Sequence, residues 1–232
     1  WYVIDAKPGA VIYTGFRKKT TKEEYLEHLA GKKLADLVNG TTVSAGDVFF
    51  IPAGMVHAIG AGVLLAEIQQ TSDVTYRIYD WDRVDASGKP REIHTAMALD
   101  AINFSLDSNN LVRPVPELNK TVLLAESQYF HTSLIMFDRP IIKDYSLTDS
   151  FVIYLCTESM AVIECNGHSE EIKAGETILI PASADSVAII PKGKATLLEV
   201  FVPQKTKSKT TRRGEFFAAR PAGPIFGNSG LS

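Results

Sequence analysis

Cysteine is scarce in this 232-residue sequence. Cys156 and Cys165 are the only two, they form no Cys-x-x-Cys pair, and neither stands beside a histidine. That rules out a disulfide framework or a thiolate metal site as the basis of the fold, and it points to a reducing compartment with both thiols as small core residues. Long apolar runs are missing too: none approaches the roughly 20 residues that a membrane-spanning helix requires. No signal peptide is legible at the start, so the expected location is cytoplasmic and a membrane is not an expected partner. Positive charge is in no surplus, because 24 Lys and Arg against 27 Asp and Glu leave a formal net charge of −3. Such a chain has no overall basic field, which excludes nucleic acid as the default partner and leaves a small molecule. The five histidines never form a His-x-His pair.

What the chain has in quantity is short β-prone runs. WYVID, AVIYTGF, DVFFIPA, VLLAEIQQ and VTYRIYD are followed by SLIMF, FVIYLC, MAVIEC, TILIPA, VAIIP and TLLEVFV, all separated by Gly, Pro and Asn. Regular punctuation of this kind predicts a mainly β sandwich or barrel. Two helices interrupt it. Over 20–38, Thr21 and Glu24 form a capping box ahead of an apolar stripe of Tyr25, Leu26, Leu29, Leu34 and Leu37. Over 94–104, Ala96, Met97, Leu99, Ala101 and Ile102 give a second, short helix.

An internal repeat organises the whole. LVNGTTVSAGDVFFIPAGMVHAI and IECNGHSEEIKAGETILIPASADSVAI share an Asn-Gly pair, an Ala-Gly-acid turn, an apolar strand and Ile-Pro-Ala. Two related β modules are expected, at 1–110 and 111–203, with a helical insertion in the first and a short helix between them. Asn-Gly reads as a hairpin turn in both, since each position tolerates positive φ. The remainder, 204–232, is basic and then rich in Gly and Pro, and reads as a mobile tail.

The sharpest motif is GDVFFIPAGMVH at 46–57. It resembles the second cupin motif: a Gly turns into a strand, Pro52 and Gly54 make a tight turn, and the next strand delivers His57 to the barrel mouth. An imidazole held this way is a candidate metal ligand; the residue type alone is as compatible with a hydrogen-bonded structural histidine. The motif's terminal Asn is replaced by Ala61. In the second repeat Ser183 replaces the second Gly and Ser186 falls at the histidine position, which leaves a scaffold without a metal site. Both modules are thus expected to be cupin-like jelly rolls, one functional and one degenerate.

WYVIDAKPGA, PAGMVHAIG, EIQQTSDVTYRIYDWDR and GKPREIH together resemble the short bacterial type I mannose-6-phosphate isomerases. The resemblance implies an aldose-ketose isomerase acting on a hexose 6-phosphate through an enediol. It also implies one zinc held by Gln, His, Glu and His, of which the last matches His57. In that family the other three lie upstream of the Trp-Tyr strand, so the chain is expected to lack an N-terminal section. Arg77 matches the family's active-site arginine, placed to stabilise a developing oxyanion; its other reading is a salt bridge to Asp73 or Asp80. Strand alternation puts Thr75, Arg77 and Tyr79 on one face, and Glu67 and Gln69 likewise share one. Glu67 is a candidate proton shuttle or a solvated carboxylate. Lys89 and Arg91 are candidates for the sugar phosphate, or surface cations. His94 reads as a helix-opening capping or packing residue, and His28, His131 and His168 as structural or exposed. A non-catalytic cupin module that binds sugar phosphate or serves in assembly is the competing reading.

Overall fold

The structure, a computed structural model, describes residues 1–72, 74–80 and 83–204. Asp73, one of the two carboxylates weighed as a partner for Arg77, and the expected tail from 205 onward lie outside the described residues. The first module contains β1 (Tyr2–Ala6), β2 (Val11–Phe16), α1 (Lys22–Ala30), α2 (Leu34–Leu37), β3 (Val38–Thr42), β4 (Val48–Phe49), β5 (His57–Ile59), β6 (Val63–Ala66), α3 (Thr95–Ala101) and β7 (Leu111–Val112). The second contains β8 (Lys120–Glu126), β9 (His131–Phe137), β10 (Ile141–Asp144), β11 (Val152–Glu158), β12 (Met160–Cys165), β13 (His168–Lys173), β14 (Thr177–Ile180), β15 (Ser186–Pro191) and β16 (Ala195–Phe201). The fold is mainly β, built of antiparallel sheets ordered β6-β1-β4-β7 and β3-β2-β5, then β14-β11-β16-β9-β8 and β10-β15-β12-β13. β7 pairs with β4, so the first sheet takes in Leu111 and Val112. No helix among the described residues is long and apolar enough to cross a membrane.

Strand alternation builds the second core. Val152, Tyr154 and Cys156 on β11 point inward with Ile135, Phe137, Ile189, Ala195 and Leu197. The opposite face of the same sheet, Leu124, Leu134, Leu155 and Leu198, packs on Tyr2, Ile4, Val48 and Ala66 of the first module. β16 is therefore covered on both sides, which is why TLLEV shows no regular polar alternation and its two polar residues, Thr196 and Glu199, are both buried. Glu199 as a residue is 2% exposed. It accepts from the Tyr145 hydroxyl, which also bonds Tyr154, and lies 2.9 Å from Lys143 Nζ. Lys143 in turn donates to Thr121 Oγ1 at 3.0 Å.

The repeat is visible in the geometry. Gly46 and Gly175 both take positive φ, +91° and +89°. Met55 N donates to Pro52 O as Ala184 N donates to Pro181 O. His57 and Ser186 then open equivalent strands, β5 and β15. Only one Asn-Gly pair is a turn, however. Asn166 and Gly167 have φ of +50° and +78° and close β12 onto β13, whereas Asn39-Gly40 lies inside β3. Gly40 sits opposite Tyr13, and a Cβ there would come within 3.0 Å of the Tyr13 ring; glycine is selected by packing rather than by a turn.

The capping box forms: Thr21 Oγ1 accepts from Glu24 N at 3.2 Å. The single helix expected over 20–38 is split, because Lys32 takes φ +54° and ends α1 with a Lys33 N to His28 O bond. Thr21→Ala removes the cap and is expected to cost about 1 kcal/mol, read as a lowered thermal midpoint. VTYRIYD, expected as a strand, joins no sheet. The strand before it stops at Ala66, so the alternation assigned to Glu67, Gln69 and Arg77 does not apply.

Candidate active site

His57 is presented by a turn that only glycine completes. Gly54 takes φ +83°, and a Cβ on it would meet Ala101 O at 2.9 Å. β5 then pairs with β2, setting His57 opposite Thr14. The imidazole is exposed at the residue level and rests edge-on against the Trp1 ring, with centroids 5.3 Å apart. Its Nδ1 lies 2.8 Å from Met55 O. A carbonyl oxygen only accepts, so Nδ1 carries the proton and Nε2 keeps its lone pair. This is the tautomer a metal-ligating imidazole needs, held by a backbone partner. Asn110, which the sequence reading missed, ties the floor together by accepting from Thr14 Oγ1 at 2.8 Å and donating to Phe50 O at 3.0 Å. A Ser-Asn-Asn run gives no signal for that role, since the partners are 60 and 96 residues away.

A cavity of about 50 Å³ opens beside His57, lined by Tyr13, Leu34, Val38, Ile78 and Tyr79 among others. Arg77 is not in that lining. Its guanidinium donates from Nη1 to Glu92 O at 3.2 Å, and its backbone is bonded to His94 in both directions. Glu67 is exposed, one residue past β6.

Lys89 and Arg91 follow a tight loop in which the Asp85 carboxylate accepts from the backbone N–H groups of Ser87 and Lys89. Lys89 is exposed. Arg91 forks onto Asp80, with Nε 2.7 Å from Oδ2 and Nη2 on Oδ1, beside a cleft of about 170 Å³ that Lys32 and Arg83 also line. The Arg91 fork holds the Asp80 carboxyl below the usual carboxylate range. A depressed folded-state pKa contributes stability above the unfolded value near 3.9, and that contribution is lost as pH falls through the folded one. Protection factors of the amides at 78–80 and 83–93, each referred to the intrinsic exchange rate at the same pH, are therefore expected to be high at neutral pH and to fall below about pH 4. Equal protection at both pH values would show that the pair contributes nothing there.

Among the described residues no three His, Cys, Asp or Glu side chains come together, so His57 alone does not make a metal site.

No family model matches the chain. Mannose-6-phosphate isomerase ManA of Bacillus subtilis (strain 168) is 41% identical over 133 residues, covering 56% of this chain and 42% of that protein. The mannose-6-phosphate isomerase of Streptococcus mutans is 41% identical over 109 residues, 47% of this chain and 34% of that protein. The crystal structure of a B. subtilis mannose 6-phosphate isomerase superposes with a TM-score of 0.75 at 27% identity, over 86% of this chain and 63% of that one. In sequence and in fold the chain is thus similar to mannose-6-phosphate isomerases. It spans less than two thirds of the length of each of these relatives. The expected mainly β, cupin-like class of fold agrees with the observed antiparallel sheets and with that superposition.

Proposed function

We propose that the protein works as a metal-dependent aldose-ketose isomerase that interconverts mannose 6-phosphate and fructose 6-phosphate through an enediol, in the cytoplasm. The observation that carries the reading is the His57 tautomer: a backbone carbonyl fixes Nδ1–H, and Nε2 is left as a donor on the strand where the cupin motif puts it. The names and the structure of the relatives support the same reaction. A divalent ion, zinc by family resemblance, would be held by His57 together with donors from outside the described residues, and would polarise the sugar's oxygen.

The reaction moves one carbon-bound proton from C2 of the aldose to C1, while the hydroxyl proton passes between the two oxygens; C2 is oxidised as C1 is reduced, and no outside oxidant is needed. Glu67 takes the carbon-bound proton and returns it. Arg77 offsets the negative charge of the enediolate. Lys89 meets the phosphate as a point charge, and Arg91, anchored by Asp80, presents the remaining edge of its guanidinium to it.

A non-catalytic sugar-phosphate-binding or assembly module is the second reading, favoured by the single metal donor among the described residues. A coupled assay of fructose 6-phosphate formation separates the two when it is run on this chain and on the full-length gene product, with chelator and with zinc restored. Turnover that chelator abolishes and zinc restores is the expected result for the gene product. An inactive, zinc-loaded gene product overturns the isomerase reading and leaves the binding module.

A further inference from the structure

We infer that His94 is the positioning residue for Arg77, coupling helix α3 to the guanidinium; this rests on the role given to Arg77 above. His94 occupies the N-cap position of α3, where a side chain ordinarily bonds the first turn, yet its imidazole makes no capping bond. Instead Nδ1 lies 3.1 Å from the Arg77 backbone N. A backbone N–H only donates, so Nδ1 is the acceptor and the neutral ring carries its proton on Nε2, the nitrogen that faces Glu92 at 3.9 Å. The His94 backbone closes the pair from the other side, its N–H donating to Arg77 O at 2.8 Å. Its own carbonyl accepts from Ala98 N at 2.9 Å, which makes it part of the helix.

Both backbone groups of Arg77 are thus satisfied by one residue in a segment that joins no sheet. The third bond, from the guanidinium to Glu92 O, is made two residues away on the same strip of chain. The anchor is firm because α3 is tied into the core: Ala98 is 1% exposed, and Leu99 and Ile102 pack with Tyr25, Leu34, Ile78 and Tyr79. An arginine that stabilises charge acts only if it is held in place before the charge develops. In a strand a ladder would do this; here a helix cap residue does.

The shape of the imidazole makes the inference testable, since an Asn amide oxygen reaches about where Nδ1 stands and the longer Gln does not. His94→Asn and His94→Gln are to be compared with wild type by hydrogen exchange of the Arg77 amide and by kcat and KM in the coupled assay on the full-length gene product. Exchange at least tenfold faster in the Gln variant, with kcat reduced about tenfold at nearly unchanged KM and both recovered in the Asn variant, is the expected pattern. Arg77 exchange unchanged in His94→Gln overturns the inference, as does a kcat that stays at the wild-type value while the amide is released. An inactive wild type would instead sink the isomerase reading, and the exchange arm would still decide whether His94 holds Arg77.

Discussion

Lys143→Met is expected to destabilise the second module by about 3–5 kcal/mol, measured by denaturant unfolding, because it removes one partner of a buried ion pair. Glu199 sits on a strand covered by the core of the second module on one side and by the first module on the other, and its side chain is 3% exposed. With the ammonium gone, the carboxylate keeps only the Tyr145 hydroxyl, itself shared with Tyr154. A carboxylate so placed must either stay charged without a counterion or take up a proton, and both outcomes cost stability. Adding Glu199→Gln to the methionine variant is expected to recover most of the loss, since no uncompensated charge remains. A single variant as stable as wild type would show that water already reaches the pair. The tyrosines add a second signature. Burial first, and then the charge of Glu199, raises the pKa of both hydroxyls, so the unfolded chain releases these protons near pH 10 while the folded chain does not. Stability is therefore present below about pH 10 and falls as pH rises above it.

Arg77→Ala is expected to lower kcat of the active protein by about 10²- to 10³-fold, the usual scale for removing a preorganised group that meets developing charge. Stability should change little, because Arg77 is only half-buried and its bond to Glu92 O, an exposed one, is the only one it makes through its side chain among those described. The ratio of the two effects is the informative quantity. A tenfold or smaller fall in kcat would assign Arg77 to the loop's structure, and a large loss of stability would make the kinetic change uninterpretable as chemistry.

Much of this architecture could be read from residue order, and the parts that could not share a physical cause. The repeat, the Ile-Pro-Ala turn and the strand opening at His57 are local features, set by where glycine permits positive φ and where apolar residues run together. The helix cap at Thr21 is local too. Asn39-Gly40 defeated the turn rule because the pressure on Gly40 comes from Tyr13, a residue on another strand. VTYRIYD has the composition of a strand, but its neighbour is the 92–94 segment, and no sheet edge is offered to it. The charge network around Glu199 joins residues 54 positions apart, and only the tertiary fold brings Tyr145 to it. His94 looked like a cap and has the backbone of one; its ring went elsewhere because an unpaired Arg77 amide stood within reach. Sequence order encodes local geometry well and says little about which loops meet.

Nitrogen-15 NMR of the His57 imidazole, in the full-length gene product with and without zinc, reads the tautomer on which the assigned chemistry depends. The account predicts a proton on Nδ1 and none on Nε2 in the metal-free protein, with zinc displacing the Nε2 resonance while Nδ1 stays protonated. A proton found on Nε2, or resonances that zinc leaves unmoved, would contradict it.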